Sequence, residues 1–237
     1  IGAALMGKRI GEIMSRFTEA VEAGKDVLYI GCSSALSGSV NQAAMISKDI
    51  LAGHPEAQIR CVDALNSSFG QGIMLMWASE KRAEGKSVDE TADYIEANRL
   101  KVHQVAVVAS LSYLKRAGRV TASSAFFGNI IGIKPILISD AKGQNFAVKK
   151  VKGIQASREE VANMVAEEIR DPEHQIVYIS HADTEETAAA VKELILQKVN
   201  CKDVVYGYIG PIVGASVGPG TIGVYFAGDE VTTVGEA

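Results

Sequence analysis

The 237-residue chain reads as an α/β protein of two lobes, with a parallel-sheet N-terminal lobe over residues 1–104 and an α+β lobe over residues 105–237. Three observations predict this. A strand, a serine-bearing turn and a helix follow one another twice in the first half, which is the order of a parallel sheet with ligands at the strand carboxyl ends. A hairpin and then alternating helices and strands occupy the second half. Near the end, Gly210-Pro211-Ile212-Val213-Gly214-Ala215-Ser216-Val217-Gly218-Pro219-Gly220 is wedged between the apolar stretches 204–209 and 222–226. Glycines this dense between two strands mean that the backbone passes close to something.

Ile10, Ile13, Met14, Phe17 and Val21 recur at helical spacing, Gly24 supplies a stop, and 27–30 reads as a short buried strand. After Gly31-Cys32-Ser33-Ser34-Ala35-Leu36-Ser37-Gly38 comes a helix with Val40, Ala43, Ala44 and Leu51 on one face, ending at Gly53. A second strand, 59–62, runs into the polar turn 63–72 and a helix carrying Met76 and Trp77. Both turns therefore fall on one edge of the sheet. Ser87 and Glu90 form a capping box for a third helix, and a strand follows at 102–109. The lobe boundary is expected near Lys101–Gln104.

Beyond it, 115–119 reads as a polar turn, 125–133 as an apolar segment punctuated by two glycines, and 135–138 as a strand returning through the turn 140–143 into 145–151. Capping boxes at Ser157 with Glu160 and at Asp183 with Glu186 start two helices around a strand at 176–180. The tail from Asp229 is polar and expected to fray.

With 24 basic against 28 acidic residues, scattered rather than clustered, the surface does not suit nucleic acid or anionic membrane. No apolar run reaches membrane-spanning length, and the N-terminus lacks the charged head and apolar stretch of a secretion signal, so the expectation is a cytoplasmic protein without stable membrane insertion. The three cysteines, Cys32, Cys61 and Cys201, read as buried thiols; with the four histidines they form no zinc spacing, and no metal or cofactor is expected.

Serines at 33, 34 and 37 beside a helix start have a mundane reading as caps and a functional one as hydroxyls converging, with helix amides, on a carboxylate or phosphate. There is no Gly-x-x-x-x-Gly-Lys, no Gly-x-Gly-x-x-Gly after a strand and no Gly-x-Ser-x-Gly, so serine as ligand-holder outranks serine as nucleophile. An enzyme acting on a small carboxylate or phosphate ester through the 33–37 turn is the alternative class. Phe126, Phe127 and Ile130 read as core or pocket wall, Arg119 as a surface charge near a turn, and His181 as a helix-start residue.

Six ordered segments, 33–39, 62–72, 111–120, 133–137, 180–183 and 209–214, resemble signature stretches of the DegV family of bacterial fatty-acid-binding proteins. The resemblance implies a two-lobed fold that buries one long-chain fatty acid between its lobes and presents the carboxylate to a separate fatty-acid kinase, being itself no enzyme. It implies a head-group site at Ser34 and Ser37, with Ser33 as alternate and Gly38 beside them, faced by Gly214 and Ser216, and a tunnel wall including Phe126 and Ile130. As a basic cluster in an acidic chain, Lys115, Arg116 and Arg119 are the expected kinase-facing residues. Two departures stand out. Where the family reads Gly-x-His-Thr-Gly-Pro-Gly, residues 214–220 place Ser216 at the histidine position, giving one hydrogen bond but no cation. The family's first strand and a second head-group donor are also missing, which predicts weaker carboxylate binding and an unseen upstream segment; a degenerate relative binding an uncharged lipid is the further alternative.

Overall fold

The structure, a computed structural model, describes residues 2–121 and 132–235. Phe17 and Val21 are buried on one face of helix α1 (Gly2–Glu22), whereas Ile10 and Met14 of the same predicted stripe stay exposed. Phe17 and Val21 pack on Ala43, Ile46 and Ile50 of α2 (Ser39–Gly53). Between these helices runs β1 (Val27–Gly31), which pairs in parallel with β2 (Ile59–Asp63) in a two-stranded sheet. Helices α3 (Ser68–Ala83) and α4 (Val88–Asn98) cover its other face through Ile73, Met74, Ala92 and Ile95. At α4 the capping box is complete: the Glu90 amide donates to Ser87 Oγ at 3.2 Å, and the Ser87 amide to Glu90 Oε2 at 2.9 Å.

A 3-10 turn at Arg99–Lys101 carries the chain into the second sheet. Its strands are β3 (Val102–Val107), β4 (Ile133–Ser139), β5 (Asn145–Lys152), β6 (Ile176–His181), β7 (Asp203–Tyr208) and β8 (Ile222–Ala227), in the order β5-β4-β3-β8-β6-β7. Only β6 and β7 are parallel neighbours. Strand β8, the last of the described strands, sits between β3 and β6 and pairs antiparallel with both.

Side chains alternate across this sheet. Val105 and Val107 of β3, Ile136 of β4, Val177 and Ile179 of β6, and Val224 and Phe226 of β8 face α6 (Ile154–Glu168) and α7 (Glu185–Lys198), forming the largest core. The intervening residues Ala106, Leu137 and Ala147 point the other way, toward α5 (Leu111–Ala117). Helix α8 (Pro211–Val217) lies alongside α5 and brings Val217 to the same group. No helix among the described residues is long and apolar enough to cross a membrane.

Several local expectations are corrected. Lys115 and Arg116 end helix α5 rather than forming a turn; left-handed Gly118, φ +67°, terminates it. The Ser157 box does not form, because α6 starts earlier, at Ile154, and Ser157 Oγ donates to the Ile154 carbonyl from inside the helix. The Asp183 box fails because Asp183 is itself left-handed and Thr184 is the cap residue of α7. The glycine run is not extended: Pro211 opens α8 after Gly210, and Gly218 closes it. Close approach does occur at Gly218, where a Cβ would lie 2.5 Å from the Tyr113 ring, but at Gly214 nothing stands within 4 Å. The cysteines are half-buried, not buried. The described part of the tail, through Gly235, is tied down rather than frayed. The Val231 amide donates to the Leu100 carbonyl, the Ala141 amide to that of Thr233, and the Gly235 amide to the Asp140 carboxylate.

Candidate functional site

Because β1 and β2 are parallel, their following loops leave on one edge, and the Ser33 amide ties them by donating to the Asn66 carbonyl at 2.9 Å. The amides of Leu36 and Ser37 both donate to the Ser33 carbonyl, so the serine stretch closes as a single turn ahead of α2. Inside it, the roles differ. Ser33 is fully buried, and its hydroxyl donates to the Gly143 carbonyl at 2.8 Å, pinning the β4–β5 hairpin tip under the turn. Ser34 is exposed; its amide donates to the Asp63 carboxylate at 3.1 Å. Ser37 Oγ donates to Ser39 Oγ at 3.2 Å and accepts from the Ser39 amide. Gly38 precedes α2 without a side-chain cap, and it is exposed.

Under this edge lies a cavity of about 570 Å³ between the loops, the α5–α8 pair and the inner face of the six-stranded sheet. Its floor is Gln104, Ala106 and Val108 of β3 and its continuation, with Leu137, Gly223 and Tyr225. Leu114 and Ala117 of α5 and Val213 and Val217 of α8 supply the sides, Ser37 and Ser67 come from the loops, and Ser39 from the start of α2. Arg119 is the one charged side chain among the described wall residues. Its Nε donates to the Leu36 carbonyl at 2.9 Å and its Nη1 to the Ala117 carbonyl, which fixes the guanidinium across the gap between α5 and the serine turn. Gly223 is where a Cβ would meet Tyr225 Oη at 2.6 Å, so glycine lets that ring lie along the strand into the cavity. Burial pushes the Tyr225 phenol up, opposed by hydrogen bonds from Ser180 and Ser68.

Of the residues singled out from sequence, Ser37, Ser216 and Arg119 stand on this one wall. Ser33, Ser34, Gly38 and Gly214 do not line it: the Ser33 hydroxyl is bonded to the Gly143 carbonyl, and Ser34 and Gly38 are exposed. Phe126 and Ile130 lie outside the described residues. Lys115 and Arg116 are exposed on α5, with the Arg116 guanidinium 5.3 Å from the Tyr113 ring centroid. His181, read as a helix-start residue, is the last residue of β6 and is buried, its ring centroid 4.4 Å from that of Tyr208 in a tilted contact. A second hollow of about 580 Å³ lies against Leu28 and Ile30, but Lys25, Asp26, Arg82 and Lys86 rim it, a poor match for an apolar guest.

The family model described as "Uncharacterised protein, DegV family" matches residues 7–229. The chain belongs to the DegV family. A DegV domain-containing protein of Clostridium perfringens is 35% identical over 213 residues, 90% of this chain and 73% of the relative. A DegV family protein from Thermus thermophilus, whose structure is described as showing fatty acid binding, superposes with a TM-score of 0.81 at 26% identity, over 92% of this chain and 76% of that one. The fold alone is shared, at 18% identity and TM-score 0.79 over 91% and 76% of the two chains, with the Streptococcus pneumoniae Fatty Acid Kinase (Fak) B3 protein loaded with linoleic acid. The mixed α/β DegV fold is thus established for this chain.

Sequence reasoning missed Ser67, Gln104, Asn145 and Tyr225 on the cavity wall. One signal was available: Gln104 is the only polar side chain in the otherwise apolar stretch 104–109, an unusual residue for a buried strand. Asn145 reads simply as a turn residue at a strand start.

Proposed function

We propose that this DegV-family chain is a cytoplasmic carrier, not an enzyme, that holds a long-chain fatty acid between a lobe of residues 1–104 and one of residues 105–237 and presents its carboxylate to a separate fatty-acid kinase. The observation that carries this reading is the hollow under the serine turn, aliphatic along Ala106, Val108, Leu114, Leu137 and Val217, with Ser37, Ser216 and Arg119 on its wall. Each buried methylene contributes about 0.8 kcal/mol, so aliphatic walls suffice for the chain. The carboxylate is the costly part and needs donors or a cation. The Ser37 hydroxyl, which donates to Ser39 Oγ, and the Ser216 hydroxyl, which donates to the Ile212 carbonyl at 3.3 Å, would exchange these bonds for the carboxylate, and Arg119 supplies the positive charge that Ser216 lacks. Ser33 is held by Gly143, and Ser34 lies off the wall, so the head-group role passes to Ser37. The Thermus relative's fatty-acid binding supports the guest class. Presentation to a kinase is supported by the name of the pneumococcal protein of the same fold and by the exposed Lys115 and Arg116.

Mass spectrometry of ligand released by denaturant from freshly purified protein should find a long-chain fatty acid; a neutral lipid or none refutes the reading. Replacing both Ser37 and Ser216 with alanine removes two hydrogen bonds worth about 1 kcal/mol each, a loss of about 30-fold in affinity. Undiminished lipid in the double variant places the head group elsewhere.

A further inference from the structure

The inner face of the six-stranded sheet is divided into rows by its register. Ala106 pairs with Leu137 and with Gly223, and Leu137 pairs with Ala147, which makes one row small and apolar. Two residues further along, about 7 Å away, the face turns polar on four neighbouring strands: Asn145 pairs with Ser139, and Gln104 with Tyr225. Ser139 is committed to the opposite layer, its hydroxyl donating to the Leu65 carbonyl at 2.9 Å. Gln104 and Asn145 face the cavity instead.

These two carboxamides are linked in a chain. Ser67 Oγ donates to Gln104 Oε1 at 3.2 Å, Gln104 Nε2 to Asn145 Oδ1 at 2.9 Å, and Asn145 Nδ2 to the Arg119 carbonyl at 2.9 Å. A carboxamide has two N–H donors and an oxygen with two lone pairs. Among the described residues each of these two uses one donor and one lone pair, leaving the same pair of capacities open toward the hollow. Asn145 is half-buried, but Gln104 is only 4% exposed and Ser67 only 9%, so bulk water is not there to satisfy the open groups of Gln104. Plain hydrocarbon laid over this row would strand them at a cost.

We propose that Gln104, with Asn145 and Ser67 beside it, is a binding station for an oxygen atom of the lipid, and that it governs which acyl guests the cavity retains. The proposal rests on the fatty-acid reading above and names a part of the site that reading does not use. A neutral carboxamide recognises one chemistry, an oxygen that can accept and, when protonated, donate. That oxygen belongs either to the carboxyl head group, reaching in from the serine turn, or to a hydroxyl on the acyl chain. The station selects by hydrogen bonding rather than by charge, which separates its role from that of Arg119.

The test uses the delipidated 237-residue chain and three probes: octadecanoic acid, the same acid with a mid-chain hydroxyl, and the primary alcohol of equal length. Affinities are measured by calorimetry for the wild type, Gln104→Leu and Asn145→Leu, with thermal melts to confirm folding; Gln104→Met, similar in shape without donors, substitutes if the leucine variant does not fold. Losing one neutral hydrogen bond predicts a change of about 3- to 10-fold. A head-group oxygen at the station shows as that loss for both acids with their ratio unchanged. A chain oxygen shows as a wild-type preference of that size for the hydroxy acid, abolished in the Gln104 variants. Folded Gln104 and Asn145 variants that keep the wild-type affinities and rank order overturn the proposal and leave the row structural. A wild type that binds no acyl probe sinks the fatty-acid reading itself, a result distinguishable from that one.

Discussion

Alanine at Gly143 should weaken the protein more than alanine at Gly24, although both glycines have nearly the same backbone conformation, φ +73° and +67°. Left-handed backbone costs a non-glycine residue about 1 kcal/mol or somewhat more at either site. At Gly24 nothing stands within 4 Å of the new methyl, so that strain is the whole cost. At Gly143 the methyl would lie 2.2 Å from Ser33 Oγ and 2.8 Å from the Leu65 Cα. The hydroxyl can turn away, but Leu65 is backbone, so the hairpin tip must lift and the buried bond from Ser33 to the Gly143 carbonyl is lost. That bond is worth about 1 kcal/mol and leaving its groups unpaired adds a comparable amount. The expected difference between the variants is therefore about 2 kcal/mol, or a melting point about 4–8 °C lower for a chain of this length. Urea unfolding followed by circular dichroism on lipid-free protein measures it, since bound lipid would itself raise stability. Equal losses in the two variants, at equal denaturant slope, would refute the claim that the hairpin tip is wedged against the serine turn.

Two other outcomes are expected. The Glu90 carboxyl is held down from an ordinary value near 4.5 to about 2, chiefly by the Ser87 amide, then by Lys86 and the Ser87 hydroxyl. Its folded value is depressed, so its support for α4 is present above the ordinary range and lost as the pH falls through about 2. The wild type should lose its advantage over Glu90→Gln across that window, and an advantage constant with pH would refute the assignment. Charge reversal at Lys115 and Arg116 should leave the lipid content unchanged and slow acyl-phosphate formation by a fatty-acid kinase. Full kinase turnover with the reversed pair would remove α5 from the contact surface.

Local patterns carried much of the fold to the page in advance. The spacing of Phe17 and Val21, the Ser87–Glu90 box and the turn after Ser139 each depend on residues close in sequence, and each formed. Helix α5 was hidden because it is only seven residues long and carries Lys115 and Arg116 in its last turn, which on their own read as solvated turn. Helix α8 was hidden by its glycines, although Pro211 at the first position and Gly218 at the end were helix signals. Long-range pairing was out of reach: that β8 enters between β3 and β6 follows from no neighbouring residue. The site followed the same rule. Ser37, Ser216 and Arg119 belong to recognisable segments, whereas Gln104 stands out in sequence merely as a polar residue in an apolar strand, and its neighbours follow from the register of β3 against β8.

The central position of β8 bears on how the chain is born. During synthesis β3 can find β4 early, yet its other edge stays unpaired until residues 222–227 leave the ribosome, more than a hundred residues later. Through that interval Val102–Val107 is an exposed, almost uncharged template for foreign strands. Premature termination anywhere before Ile222 would release a nascent product that cannot close its own sheet, making it a client for chaperones or a seed for aggregation.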